Sequence, residues 1–258
     1  MPFLVLSGAI EDRFAAHIGL VATDMDGTMT QAGKFTSGLL TALERFADAE
    51  IAVLVVTGRS AGWVSGLAHY LPIVGAIAEN GGLFYSPSDE MPMSLVSIDD
   101  FQQHRQDLAT TFRALQSAFP QVRESADNRF RLTDWTFDVA GLFPETLEQI
   151  ALWCEERDWS LTYSSVQCHL KLPEQDKARG LLKVLAARFP HLSPNEIATV
   201  GDSPNDGSLF DASIFPHSVG VANVLEYRDR LPHLPKYVTP SPEGAGFCEL
   251  ADYIRSNR

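Results

Sequence analysis

Four aspartates fall in two short stretches that could do chemistry together. Asp24-Met25-Asp26-Gly27-Thr28 follows an apolar run at residues 19–23, and Gly201-Asp202-Ser203-Pro204-Asn205-Asp206 follows another at residues 197–200. Each run reads as a buried parallel strand, so the acids stand at carboxyl ends, where open α/β sheets bind ligands. Converging carboxylates demand a counter-charge, and an oxygen-only donor set selects a hard cation such as Mg²⁺. A calcium loop is excluded: counted from Asp24, its sixth and twelfth positions hold Met29 and Phe35 instead of Gly and Glu. Thr57-Gly58-Arg59-Ser60 lies where a strand gives way to a helix. Its hydroxyl and free backbone N–H groups point one way, which makes an anion cradle. Lys177 stands at the mouth of a helix, a place where lysine is ordinarily solvated.

These residues need elements to hold them. A β-branched run at residues 51–56 reads as a second strand, and Thr36 can cap a helix whose Leu39, Leu40, Leu43, Phe46 and Ala47 recur at helical spacing. A helix at residues 60–70 leads to a strand at 74–78. Toward the other end the pattern predicts a helix at 178–189, strands at 197–200 and 218–221, and a last helix at 247–255. The grain changes between about residues 84 and 175. Helices at 101–119 and 145–157 there alternate with strand-like runs at 130–139, 160–163 and 167–172. That order predicts an α+β layer inserted into a parallel-sheet domain.

Composition bounds the partners. The 258 residues carry 33 acidic and 20 basic side chains, a net charge of −13, and no basic stripe, so a nucleic-acid partner is excluded. Three cysteines without CxxC spacing give neither a disulfide framework nor a zinc ribbon, and a cytoplasmic setting is expected. The apolar opening at residues 1–10 lacks a basic leader and runs into Glu11 and Asp12, so neither a secretory signal nor a membrane anchor is read there. A monomer or small homo-oligomer is expected.

In sequence order, a double-Asp strand end, a Thr strand end, a Lys at a helix start and a Gly-Asp-x-x-Asn-Asp strand end resemble the four motifs of the haloacid dehalogenase-like superfamily. Here they are Asp24 to Thr28, Thr57 to Arg59, Lys177, and Gly201 to Asp206. The insertion between Thr57 and Lys177 stands where Cof-like phosphatases, sugar phosphatases among them, carry a type IIB cap. Asn80-Gly81-Gly82 and the tail Tyr237-Val238-Thr239 with Glu243-Gly244-Ala245-Gly246 are similar to segments of that subgroup. The chain departs from the pattern in about eighteen residues ahead of the first strand and in Met25 and Met29, where Leu is commoner.

The resemblance implies a Rossmann-like core of residues 1–83 and 176–258 with an α+β cap of residues 84–175. It also implies a Mg²⁺-dependent phosphatase acting on a small phosphomonoester, a sugar phosphate or related metabolite. Asp24 would be the nucleophile and Asp26 the acid and base. Asp24, the backbone carbonyl of Asp26, Asp202 and Asp206 would hold the metal. Thr57, Gly58 and Arg59 would bind the phosphoryl group, Lys177 would offset its charge, and Asn80 and Asn205 would orient it. Substrate choice would fall to the cap, whose strand-like runs carry Arg129, Arg131, Trp135, His169 and Lys171. The period of two puts His169 and Lys171 on one strand face, which reads as solvated unless it faces substrate. Cys154, Cys168 and His169 are not read as a metal cluster. A phosphomutase of the same fold and a non-catalytic phosphate sensor are the alternatives. A serine esterase is excluded, because Gly201 to Asn205 lacks the last Gly of the nucleophile elbow and no Asp-x-x-His follows.

Overall fold

The structure, a computed structural model, describes residues 4–5 and 14–257. Its main sheet runs β1 (Leu4–Val5), β12 (Tyr237–Val238), β11 (His217–Gly220), β10 (Ile197–Gly201), β2 (Leu20–Thr23), β3 (Ala52–Val56), β4 (Gly75–Ala78), β5 (Leu83–Tyr85) and β6 (Met93–Ser94). All neighbours from β1 to β4 are parallel, and β5 and β6 are antiparallel. Apart from β1, which pairs with β12, the opening segment read as neither signal nor anchor lies outside the described residues. No described helix is long and apolar enough to cross a membrane.

Apolar side chains alternate across the central strands and so feed two cores. Val21, Val53 and Val55 pack with Leu39, Leu43 and Phe46 of α1 (Ser37–Asp48) and with Phe247, Leu250 and Ile254 of α6 (Glu243–Ser256). Leu20, Ala22, Leu54 and Val56 pack on the other face against Leu181, Val184 and Leu185 of α5 (Lys177–Arg188). The Thr36 hydroxyl accepts from the Leu39 N–H at 3.2 Å and caps α1 as its position predicts. Leu40 and Ala47 lie outside the buried stripe and remain exposed.

A second sheet of three antiparallel strands, in the order β7 (Asp134–Asp138), β9 (Gln167–Lys171), β8 (Ser160–Tyr163), carries α3 (Phe101–Ala118) and α4 (Pro144–Glu155). Its own apolar cluster includes Phe112, Phe137, Ile150 and Leu170. Within the stretch assigned to the insert, β5 and β6 pair with the main sheet and not with the second one. The strand predicted from residue 130 begins only at Asp134, because the N–H groups of Leu132 and Thr133 are taken up by the Glu79 carboxylate instead of a neighbouring strand.

Glu79 therefore ties the second sheet to the first. Its fully buried carboxylate accepts from the Ala61 N–H at 2.8 Å, from the Leu132 N–H at 3.0 Å, and from the Thr133 N–H and hydroxyl at 2.6 and 2.7 Å. Ala61 opens α2 (Ala61–Tyr70), the helix that follows the Thr57 turn. Glu79→Gln keeps the shape but sets an N–H₂ group against these donors. It should cost about 2 kcal/mol, read as a shift in urea midpoint at constant slope; no measurable loss would contradict the tie.

Candidate active site

β10, β2 and β3 are neighbours in register, with Val200 opposite Thr23 and Thr23 opposite Val55. Asp202, Asp24 and Thr57 consequently leave the sheet at one edge. The turn after Asp24 needs Gly27, whose φ is +81° and where an added Cβ would lie 2.6 Å from Asp202 Oδ2.

Lys177 is the first residue of α5, and Asp176 caps that helix by accepting from the Arg179 N–H at 2.9 Å. Far from being solvated, its ammonium is completely buried, 2.5 Å from Asp24 Oδ1 and 2.6 Å from Asp206 Oδ1. The other Asp206 oxygen accepts from the backbone N–H groups of Asp202 and Ser203. Asp202 is held by the Thr28 hydroxyl at 3.1 Å and the Asn223 amide at 2.9 Å. Oxygens of Asp24, Asp202 and Asp206 lie within 4.8 Å of one another.

One buried ammonium does not balance three buried carboxylates. Burial pushes the Asp24 carboxyl up to about 7; Lys177 opposes this, and Asp206 and Asp26 add to it. Burial, Asp24 and Asp206 likewise push Asp202 well above the ordinary carboxylate range. Burial would lower Lys177, but Asp206 and Asp24 raise it beyond its usual value. The strain of like charge and an all-oxygen donor set fit a hard divalent cation.

The Asp26 side chain does not join this cluster. Both its oxygens face Arg59, at 2.8 Å from Nε and 2.6 Å from the terminal nitrogen. Asn205 donates to Asn80 at 3.1 Å, and the buried Asn80 Nδ2 beside Gly58 has no partner among the described residues. Asp24, Asp26, Thr57, Gly58, Arg59 and Asn205 line one narrow pocket, and Ser164, Gln167 and His169 close it from the second sheet.

Of the five residues singled out on the insert, His169 alone reaches this pocket. His169 and Lys171 do share a face, but that face is buried, not solvated, because it packs toward the main sheet. Lys171 donates to the Gln175 carbonyl, and Arg131 donates to the Gly58 carbonyl at 3.0 Å. Trp135 packs on Phe112 on the far side, and Arg129 is exposed over Phe130. Cys154 and Cys168 are buried free thiols, with no metal-binding group of theirs among the described residues. Sequence reasoning placed Thr28 in the first motif without giving it a role, and it missed Asn223 and Asp134. Asn223 left a signal, as the polar residue just past the end of β11.

Residues 21–117 match the model of a family described as haloacid dehalogenase-like hydrolase. A phosphoglycolate phosphatase of Metallosphaera sedula is 29% identical over 252 residues, covering 93% of this chain and 100% of that protein. A phosphoglycolate phosphatase of Saccharolobus solfataricus is 28% identical, over 92% of this chain and 96% of that one. Among solved structures, a Thermoplasma acidophilum protein superposes with a TM-score of 0.73 at 21% identity, covering 92% of this chain and 98% of the other. The sucrose-phosphatase of Synechocystis, solved with sucrose and phosphate, gives 0.69 at 16% identity over 92% and 98%. These two structures share the fold.

The raised Asp24 group has a sign that can be tested. Its folded pKa of about 7 lies above the ordinary carboxylate value of 3.8, so its contribution to stability is full below the lower value and is lost as pH rises through the upper one. In chelator-treated protein, Asp24→Asn should therefore raise unfolding free energy at pH 8 by at least about 1 kcal/mol. The gain should shrink at pH 5, where Asp24 already holds its proton. A gain that is equal at both values would contradict the assignment.

Proposed function

We propose that this chain, a haloacid dehalogenase-like hydrolase of the phosphatase type, splits a small phosphate monoester by passing the phosphoryl group through Asp24. The observation that carries the reading is the buried Asp24 carboxylate, fixed against Lys177 at the foot of a pocket whose other wall is the Thr57 turn. Phosphate monoesters resist nucleophiles because the phosphoryl group is anionic, so catalysis must neutralise charge and fix the line of attack. Asp24, Asp202, Asp206 and the backbone carbonyl of Asp26 would hold Mg²⁺. When bound, the ion supplies positive charge that Lys177 alone does not.

The remaining work falls to the chain itself. A free Asp24 oxygen attacks phosphorus, the ester P–O bond breaks, and Asp26 gives its proton to the departing alkoxide. Water then attacks the aspartyl-phosphate, Asp26 takes its proton, and the Asp24 carboxylate is restored. Thr57, Gly58 and the unpartnered Asn80 amide offer donors to the phosphoryl oxygens. Asn205 holds Asn80 in place. Arg59 has two anions to choose between, the Asp26 carboxylate it grips here and the arriving phosphoryl group. Its departure from Asp26 would free that residue to carry a proton.

We take the second sheet with α3 and α4 as a cap over the core, extending over residues 84–175 apart from the strands that join the main sheet. Its closure excludes water and leaves a narrow space. That space, together with the names of the relatives, supports a compact phosphorylated metabolite with phosphoglycolate among the candidates. The acidic surface and the lack of described membrane-crossing helices suit a small-molecule enzyme of the cytoplasm, as a monomer or small homo-oligomer.

Purified protein with Mg²⁺ should release phosphate from at least one member of a panel of phosphoglycolate, phosphoglycerate, glycerol phosphate and sugar phosphates. Chelation should abolish release and Mg²⁺ restore it. Asp24→Asn should lower kcat by about a thousandfold or more, and Lys177→Ala should depress all substrates alike. Release that persists without divalent cations, or in Asp24→Asn, would overturn the reading.

A further inference from the structure

The pocket wall supplied by the second sheet contains one imidazole whose protonation is dictated from behind. His169 Nδ1 lies 2.8 Å from Asp134 Oδ2, and both side chains are almost wholly buried. Asp134 also receives the Arg131 guanidinium at 2.9 and 3.1 Å. Burial alone would raise the Asp134 carboxyl, but Arg131 and His169 hold it below the ordinary range, so it is an acceptor. The hydrogen on this contact therefore belongs to His169 Nδ1. Burial lowers the pKa of His169 and keeps the ring neutral, so Nε2 carries a lone pair.

That lone pair sits at the reacting end of the pocket. A Cβ added at Gly58 would lie 3.0 Å from both Cε1 and Nε2 of His169, so the ring edge rests on the proposed phosphoryl cradle. No hydrogen-bond partner is seen for Nε2 among the described residues, whereas Nδ1 is taken by Asp134. On the same pocket, in the turn between β8 and β9, Ser164 Oγ already accepts from the N–H groups of Val166 and Gln167. Its own hydrogen is left to donate. An acceptor and a donor thus line the same pocket, the pairing that a hydroxyl group satisfies in both directions. A carboxylate placed there would meet a lone pair on Nε2 in place of a donor.

We propose that His169 is the specificity residue of the site: its Nε2 accepts a hydrogen bond from a hydroxyl carried by the leaving group, so esters with such a hydroxyl are preferred to esters of equal size without one. The proposal rests on the phosphatase reading and narrows its substrate class to hydroxylated phosphate esters, with Asp134 as the positioning residue that sets the tautomer. Phosphoglycolate, whose leaving group carries a carboxylate and no free hydroxyl, would be the poorer substrate.

The test compares kcat/KM for glycerol 3-phosphate, propyl phosphate and phosphoglycolate at one pH with saturating Mg²⁺. The wild type should favour glycerol 3-phosphate over propyl phosphate by about tenfold, the size of one net hydrogen bond. His169→Ala should bring the two within about twofold while phosphate release and Mg²⁺ dependence persist. His169→Gln, which can place an amide oxygen near the position of Nε2, should recover part of the preference, a rescue that a merely structural role would not produce. Folding of each variant is checked by circular dichroism and thermal melting. An unchanged ratio in folded His169→Ala, no recovery of the preference in folded His169→Gln, or a wild type that prefers propyl phosphate or phosphoglycolate, overturns the proposal. Failure of the wild type to release phosphate from any ester would instead sink the phosphatase reading beneath it.

Discussion

Three carboxylates share one buried ammonium at the carboxyl edge of the main sheet, and the rest of the molecule is arranged around that imbalance. Removing charges from water is costly unless each finds a partner. Lys177 reaches two of the acids, backbone N–H groups of the 202–203 turn serve a third contact, and Thr28 and Asn223 hold Asp202. These partners come from segments as distant in sequence as the first parallel strand and the loop after β11. They meet only because β10, β2 and β3 lie side by side in register. The cores on the two faces of the sheet thus stabilise the fold and also keep like charges within reach of one cation.

A second set of buried charges joins the two sheets. Glu79 accepts four donors from α2 and the 131–133 loop, and Arg131 spans Asp134, Asp127, Gln167 and the Gly58 carbonyl. Because these contacts run from the loop before β7 to the turn after β3 and the helix that follows it, the segments are fixed relative to each other. His169 inherits its position from this network. The wall over the Thr57 turn is consequently as well defined as the turn itself.

Much of the site was legible in the sequence because strand ends are. An apolar run that stops at Asp24, Thr57 or Asp202 announces both a buried strand and the polar residue at its carboxyl end, and parallel strands deliver such ends to one edge. The helix stripe of α1 and its Thr36 cap were readable for the same local reason. What escaped depends on contacts remote in sequence. Nothing near Lys177 says that it is buried; its partners are 153 and 29 residues away. The period of two correctly put His169 and Lys171 on one face, but whether that face meets water or another sheet is a tertiary fact. The early start assigned to β7 failed likewise, since Glu79 captures N–H groups from a loop more than fifty residues on.

The central claim is that Asp24, held against Lys177 in a cluster of buried acids, is the residue that carries the phosphoryl group. Borohydride reduces an aspartyl-phosphate to homoserine, so rapid acid quenching during turnover, reduction and peptide mass spectrometry reads the site of attachment directly. The account predicts homoserine at position 24 and nowhere else. Homoserine at another aspartate, or none at any while phosphate is being released, would contradict it.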